Sequence, residues 1–115
     1  MEIGIDIEEN ERFKNFKENH LTKMFTDYEI IYAKQFVDYE NHLCAFWCVK
    51  ESVIKAFSNK KLDFLQIQIN HYDDGKPYIV KTPTIINELQ QKNLNEIKIS
   101  ISHSKHYSTA VCIIY

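Results

Sequence analysis

The sequence predicts an α+β fold, with helices packed on a largely antiparallel sheet, and three observations lead there. Segments near both ends alternate apolar and polar residues with the period of a strand. The middle of the chain repeats apolar residues with the period of a helix. Only two glycines and two prolines occur, so most of the 115 residues belong to regular elements.

Taken in order, EIGIDIE at 2–8 is a strand, with Ile3, Ile5 and Ile7 on one face and Gly4, Asp6 and Glu8 on the other. NERFKNFKE at 10–18 predicts a short helix with Asn10 as its cap and Phe13 and Phe16 on one side. Thr26 followed by Glu29 is a capping box, and Phe25 with Ile30 is the matching staple, which predicts a helix over 27–38. A longer helix follows over 41–58. LQIQIN at 65–70 alternates again, DDG at 73–75 signals a turn, and PYIVK returns as the second strand of a hairpin. A helix over 84–92 starts near Thr82 or Thr84. Two closing strands, Ile97–Ile101 and TAVCIIY, complete the order β-α-α-α-β-β-α-β-β within a single domain, 1–115.

Composition excludes several classes of function. A net charge of −2 and a pI near 6.2 argue against a dedicated nucleic-acid binder. No apolar run reaches the roughly 18 residues of a membrane span. The N-terminal MEIGIDIEEN lacks the basic and apolar regions of a secretion signal, so a cytoplasmic location is the expectation. Cys44, Cys48 and Cys112 sit in apolar surroundings and read as reduced core thiols.

The chemistry concentrates in two places. Asp6 and Glu8 share a strand face, which by itself reads as a solvated side of the sheet, yet Gly4 on the same face leaves room beside Asp6. Glu51 lies in FWCVKESVIKAF, a helix apolar on nearly every side. One reading pairs it with Lys55 at i,i+4, a contact contributing only about 0.3–0.5 kcal/mol on a surface. Burial makes such a pair a poor source of stability. The other reading brings a strand carboxylate and a helix carboxylate together across a cleft around Mg2+, which accepts one or two carboxylates plus waters and substrate phosphates. Lys50 and Lys55 would then face those phosphates.

Three stretches, GIDIE, WCVKESVIKA and SISHS, resemble in order and spacing the 4'-phosphopantetheinyl transferases, specifically the short holo-acyl-carrier-protein synthase type. FTDYE and DDGKP resemble two further motifs of that family, so the likeness spans almost the whole chain. The resemblance implies the 4'-phosphopantetheinyl transferase fold. It also implies transfer of the phosphopantetheine arm of coenzyme A to a serine of an apo acyl carrier protein, dependent on Mg2+ and releasing adenosine 3',5'-bisphosphate. Asp6 and Glu51 match the metal ligands, and Glu8 matches the third carboxylate of the longer type. Lys55 matches the lysine near the pyrophosphate, and His103 with Ser102 matches the coenzyme A-binding end of the last motif. With Asp6, Glu51 and Lys55 in the catalytic role, the serine proton goes to a carboxylate, with Asp6, Glu8 and Glu51 all candidates, or to a metal-bound water. Arg12, Phe16 and Met24 match the carrier-facing first helix, where Arg12, Lys14, Lys17 and Lys23 outnumber Glu11 and Glu18. A homotrimer with sites between subunits is implied by analogy. Phe46 stands where the short type carries a basic residue, which leaves a phosphate contact to Lys50 or Lys105. His106 reads as a turn residue, and Ser52 as a packing residue. A non-catalytic carrier-binding member of the fold and a phosphohydrolase of coenzyme A are the competing readings.

Overall fold

The structure, a computed structural model, describes residues 1–115. Strand β1 (Glu2–Glu9) leads through a 3-10 turn (Asn10–Phe13) to helix α1 (Glu18–Met24). Helices α2 (Asp27–Lys34) and α3 (Tyr39–Phe57) follow, then a second 3-10 turn (Phe64–Gln66). A short hairpin of β2 (Ile69–His71) and β3 (Pro77–Ile79), helix α4 (Pro83–Gln91), and strands β4 (Ile97–His103) and β5 (Tyr107–Ile114) complete the chain.

The main sheet has the order β1-β5-β4 and is antiparallel throughout, with Asp6 opposite Ala110 and Ala110 opposite Ile101. The hairpin forms a separate two-stranded sheet. Helix α3 lies across one face of the main sheet, and 25 buried residues form one core around it. The three cysteines are buried free thiols in that core, and burial pushes the Cys112 thiol up to about 12.

Local signals set several boundaries. The Thr26–Glu29 capping box forms in full, with Thr26 Oγ1 accepting from the Glu29 amide at 3.2 Å and Glu29 Oε1 from the Thr26 amide at 2.9 Å. Thr82 caps α4 by accepting from the Ile85 amide. Gly75 turns the hairpin at φ +89°, a conformation glycine adopts without a Cβ penalty.

Two predicted elements differ. The helix over 10–18 is one 3-10 turn, broken where Asn15 takes φ +66°, with α1 starting only at Glu18. Asn10 does not cap it: its buried side-chain amide donates to the backbone oxygens of Ser104 and Lys105, and its oxygen accepts from the Ser108 hydroxyl at 2.6 Å. The strand over 65–70 shrinks to Ile69–His71. Ahead of it, Asp63 accepts from the Leu65 amide, starts a 3-10 turn, and buries Ile67 fully.

The faces of β1 also settle unexpectedly. Gly4, Asp6 and Glu8 look toward α3, while Ile3, Ile5 and Ile7 are 64%, 63% and 64% exposed on the outer side of the sheet. The solvated-face reading of the acidic residues is therefore overturned. Gly4 explains why strand and helix can meet here. A Cβ at this position would collide with the backbone oxygen of Ser52 and stand 2.6 Å from the Ala56 nitrogen. No helix in the chain is long and apolar enough to cross a membrane.

Candidate active site

The close approach at Gly4 carries the next inward-facing residue of β1, Asp6, to the flank of α3. Lys55 Nζ donates to Asp6 Oδ1 at 3.1 Å and to the Ile5 backbone oxygen at 2.9 Å, with half of the lysine side chain exposed. Thr109 on β5 fixes the strand from the other side, donating to the Asp6 backbone oxygen at 2.7 Å. Glu51, one turn before Lys55, is half-buried. Desolvation holds its carboxyl above the usual range, and the charge of Asp6 adds to the rise, against the opposing pull of Lys55 and Arg12. Two carboxylates thus face one region with a lysine at its rim.

Glu8 takes another partner. Its Oε2 accepts from Arg12 at 2.5 Å, and the guanidinium lies over Trp47, 5.1 Å from the ring centroid. No three acidic, histidine or cysteine side chains are gathered tightly enough to hold a metal ion by themselves. The Asp6–Glu51 pair nevertheless fits Mg2+, which takes few protein carboxylates and completes its octahedron with water and substrate oxygens. Their mutual repulsion in a partly desolvated cleft is what a divalent ion would relieve.

Lys50 is corrected outright. The reading that it faces phosphates fails because the residue is 0% exposed and paired with Glu29, also 0% exposed, at 2.7 Å. Its ammonium also donates to the Phe64 backbone oxygen at 2.8 Å. Burial lowers its pKa, and Glu29 counters that fall. Glu29 Oε2 further accepts from the Ile69 amide, so this pair ties α2, α3 and the hairpin together. Ser52 is buried and donates to the Val49 backbone oxygen, in keeping with a packing role.

His103 and Ser102 end β4 and point opposite ways. Ser102 lies on the outer face with Ser100, while His103 lies 5.8 Å, ring to ring, from His42 at the start of α3. His42 and Glu51 are about half a revolution apart on α3 at 3.6 residues per turn. The carboxylates and His103 therefore occupy opposite flanks of one helix. The sequence reading missed His42, His71 and Glu29. For Glu29 the second half of the capping box was the available signal; for the two histidines no local pattern existed.

Of the residues expected to meet a carrier, Arg12 and Phe16 border one hollow. Phe16 is half-buried and stacks on Phe13 at 5.1 Å, and Met24 is half-buried against the core. Arg12, Lys14, Phe16, Lys17 and His20 border a hollow of about 290 Å³. His106 sits in the β4–β5 turn and donates nothing to the site, although its backbone oxygen accepts from the Asn10 amide.

Comparison with known proteins identifies the family. A sequence model of the 4'-phosphopantetheinyl transferase superfamily matches residues 2–112. The holo-[acyl-carrier-protein] synthase of Thermodesulfovibrio yellowstonii is 37% identical over 117 residues, covering 97% of this chain and 96% of that protein. The enzyme of the same name from Leptospira biflexa is 31% identical over 122 residues, covering 100% and 96%. Among solved structures, the Helicobacter pylori holo-[acyl-carrier-protein] synthase in complex with coenzyme A superimposes with a TM-score of 0.83 at 28% identity, covering 98% of this chain and 99% of that one. A glycine-licensed strand–helix contact presenting Asp6, Glu51 and Lys55, within a match running almost end to end, leaves one assignment: this chain belongs to the 4'-phosphopantetheinyl transferase superfamily.

Proposed function

We propose that the protein transfers the 4'-phosphopantetheine group of coenzyme A to a serine of an apo acyl carrier protein, using Mg2+ held by Asp6 and Glu51. The observation that carries this reading is the meeting of those two carboxylates and Lys55 where β1 crosses α3. The names of the relatives point to the same reaction.

In this reaction the carrier serine oxygen bonds to the β-phosphorus of coenzyme A. The bond from that phosphorus to the bridging oxygen breaks, and adenosine 3',5'-bisphosphate leaves. Bound magnesium supplies charge neutralisation at the pyrophosphate. Lys55, half exposed at the rim of the carboxylates, sets a positive charge beside the leaving phosphate and lowers the barrier electrostatically. The serine proton passes to the carboxylate cluster. Such a transfer needs positioning and charge rather than a protein nucleophile. Glu8, the third candidate ligand, serves first as the anchor of Arg12, which with Phe16 and Met24 forms the basic, apolar-studded face for an acidic carrier.

The active unit is a homotrimer. Two features support that part of the reading: the uncovered isoleucine face of β1, and the split of the site between opposite flanks of α3. A second chain packed on that face would bring its own histidine flank toward the carboxylates of the first.

The test is incubation with coenzyme A, Mg2+ and an apo carrier, followed by intact-mass spectrometry of the carrier. A mass gain of one phosphopantetheine group, lost on chelation of the metal, is the expected result. Consumption of coenzyme A with an unmodified carrier would replace this reading with that of a phosphohydrolase.

A further inference from the structure

Residues 104–106 connect β4 to β5, and one buried residue from the other end of the chain holds them. The Asn10 side-chain nitrogen donates to the Ser104 backbone oxygen at 3.0 Å and to the Lys105 backbone oxygen at 3.2 Å. Its backbone amide donates to the His106 backbone oxygen at 2.8 Å. Three consecutive carbonyls of the turn thus end on a single residue. The Asn10 side-chain oxygen accepts from the Ser108 hydroxyl at 2.6 Å, which leaves the amide group one orientation. Asn10 is 2% exposed and Ser108 0%, so bulk water does not compete for these bonds and the network specifies one arrangement.

The clamp also sets where the other side of the turn points. Every peptide bond in the chain is trans, and a trans peptide sets its N–H opposite its C=O. With the Ser104 and Lys105 carbonyls turned in toward Asn10, the amides of Lys105 and His106 turn outward. Neither bonds to any other group of the chain. These two free donors directly follow His103, the last residue of β4.

We propose that Asn10, oriented by Ser108, is a positioning residue for coenzyme A, acting through the β4–β5 turn. The proposal rests on the transferase reading, in which Ser102 and His103 meet coenzyme A. Buried as it is, Asn10 touches no substrate; it fixes the turn that holds His103 and the outward amides in place. Without its side chain, the Ser104 and Lys105 carbonyls lose their donor, their peptides are free to rotate, and the amides of Lys105 and His106 swing away from the substrate side. The cost falls on binding. The reacting carboxylates lie on the other flank of α3, where Gly4 and Thr109 fix β1 independently. Arg12 likewise keeps its own anchor, Glu8.

The experiment is calorimetric titration of the full chain with adenosine 3',5'-bisphosphate in the presence of Mg2+, with transfer kinetics on the same preparations. Asn10→Ala is expected to bind about tenfold more weakly than wild type, and Ser108→Ala about threefold more weakly. The double variant should bind no more weakly than Asn10→Ala, because both substitutions act through one network. In transfer, Asn10→Ala should raise KM for coenzyme A by about the same tenfold, with kcat within about twofold and KM for the carrier unchanged. A merely structural residue would lower the melting temperature without that split. Thermal unfolding checks each variant, and Ser108→Ala, which removes only the group orienting Asn10, carries the test if Asn10→Ala does not fold. Wild-type affinity in both single variants overturns the proposal, as do additive losses in the double variant, a fall in kcat with KM unchanged, or a wild type that does not bind the bisphosphate. Carrier modification with an affinity insensitive to both substitutions removes the clamp and keeps the transferase; clamp-dependent binding without carrier modification does the reverse.

Discussion

Glu51 is raised by burial and by Asp6, and that gives its charge a measurable sign. A carboxyl whose folded pKa lies above its unfolded value stabilises the fold below the unfolded value, near about 4.3 for glutamate. That stability is lost as pH rises through the folded value. In chelator at neutral pH, Glu51→Gln is thus expected to melt higher than wild type, and added Mg2+ should reverse the ranking by stabilising only wild type. A lower melting temperature for the variant in chelator would contradict the repulsion inferred between positions 6 and 51. In the transfer assay the same substitution, like Asp6→Asn, should reduce kcat by at least about 100-fold. The strand alternation put Asp6 on the face of Gly4, and the apolar surroundings of Glu51 singled it out in the sequence. Lys50 was not legible there. Its partner Glu29 belongs to another helix, and no local spacing says that the lysine beside Glu51 turns inward.

Elements tell the same story through contacts that span the chain. The capping box, the Thr82 cap and the Gly75 turn are short-range devices, and the sequence announces each one. Asn10 was misread because its partners lie in the β4–β5 turn, at the far end of the chain, and a nonlocal bond overrides a local capping preference. LQIQIN was misread because a 3-10 turn buries Ile67 as well as a strand would. Two substitutions probe the element contacts. Glu29→Gln strands the buried Lys50 ammonium and is expected to destabilise the protein by about 3–5 kcal/mol in denaturant unfolding. Gly4→Ala forces β1 off α3, at the upper end of the roughly 1–3 kcal/mol usual for overpacking. It should also lower transferase activity, because Asp6 rides on the displaced strand. Unchanged stability in either variant would show that the packing described at that contact does not hold in solution.

At the scale of the molecule, the alternation of β1 gave the strand but not its orientation, since period two is equally satisfied with either face inward. The choice is made by Gly4, whose missing side chain lets the acidic face press against the helix. The Ile3–Ile5–Ile7 row is left outside, and Val111 and Ile113 of β5 continue it as half-buried neighbours. Ile5→Lys should therefore lower the assembled fraction in sedimentation velocity, with the subunit fold intact by circular dichroism. Sedimentation unchanged from wild type would overturn an assembly through this face. The inverted strand has a consequence for handling the protein. If water is kept from those isoleucines only by a neighbouring subunit, resistance to heat depends on how much protein is in the tube. Melting curves recorded on serial dilutions should slide to lower temperature as the sample thins, by mass action alone.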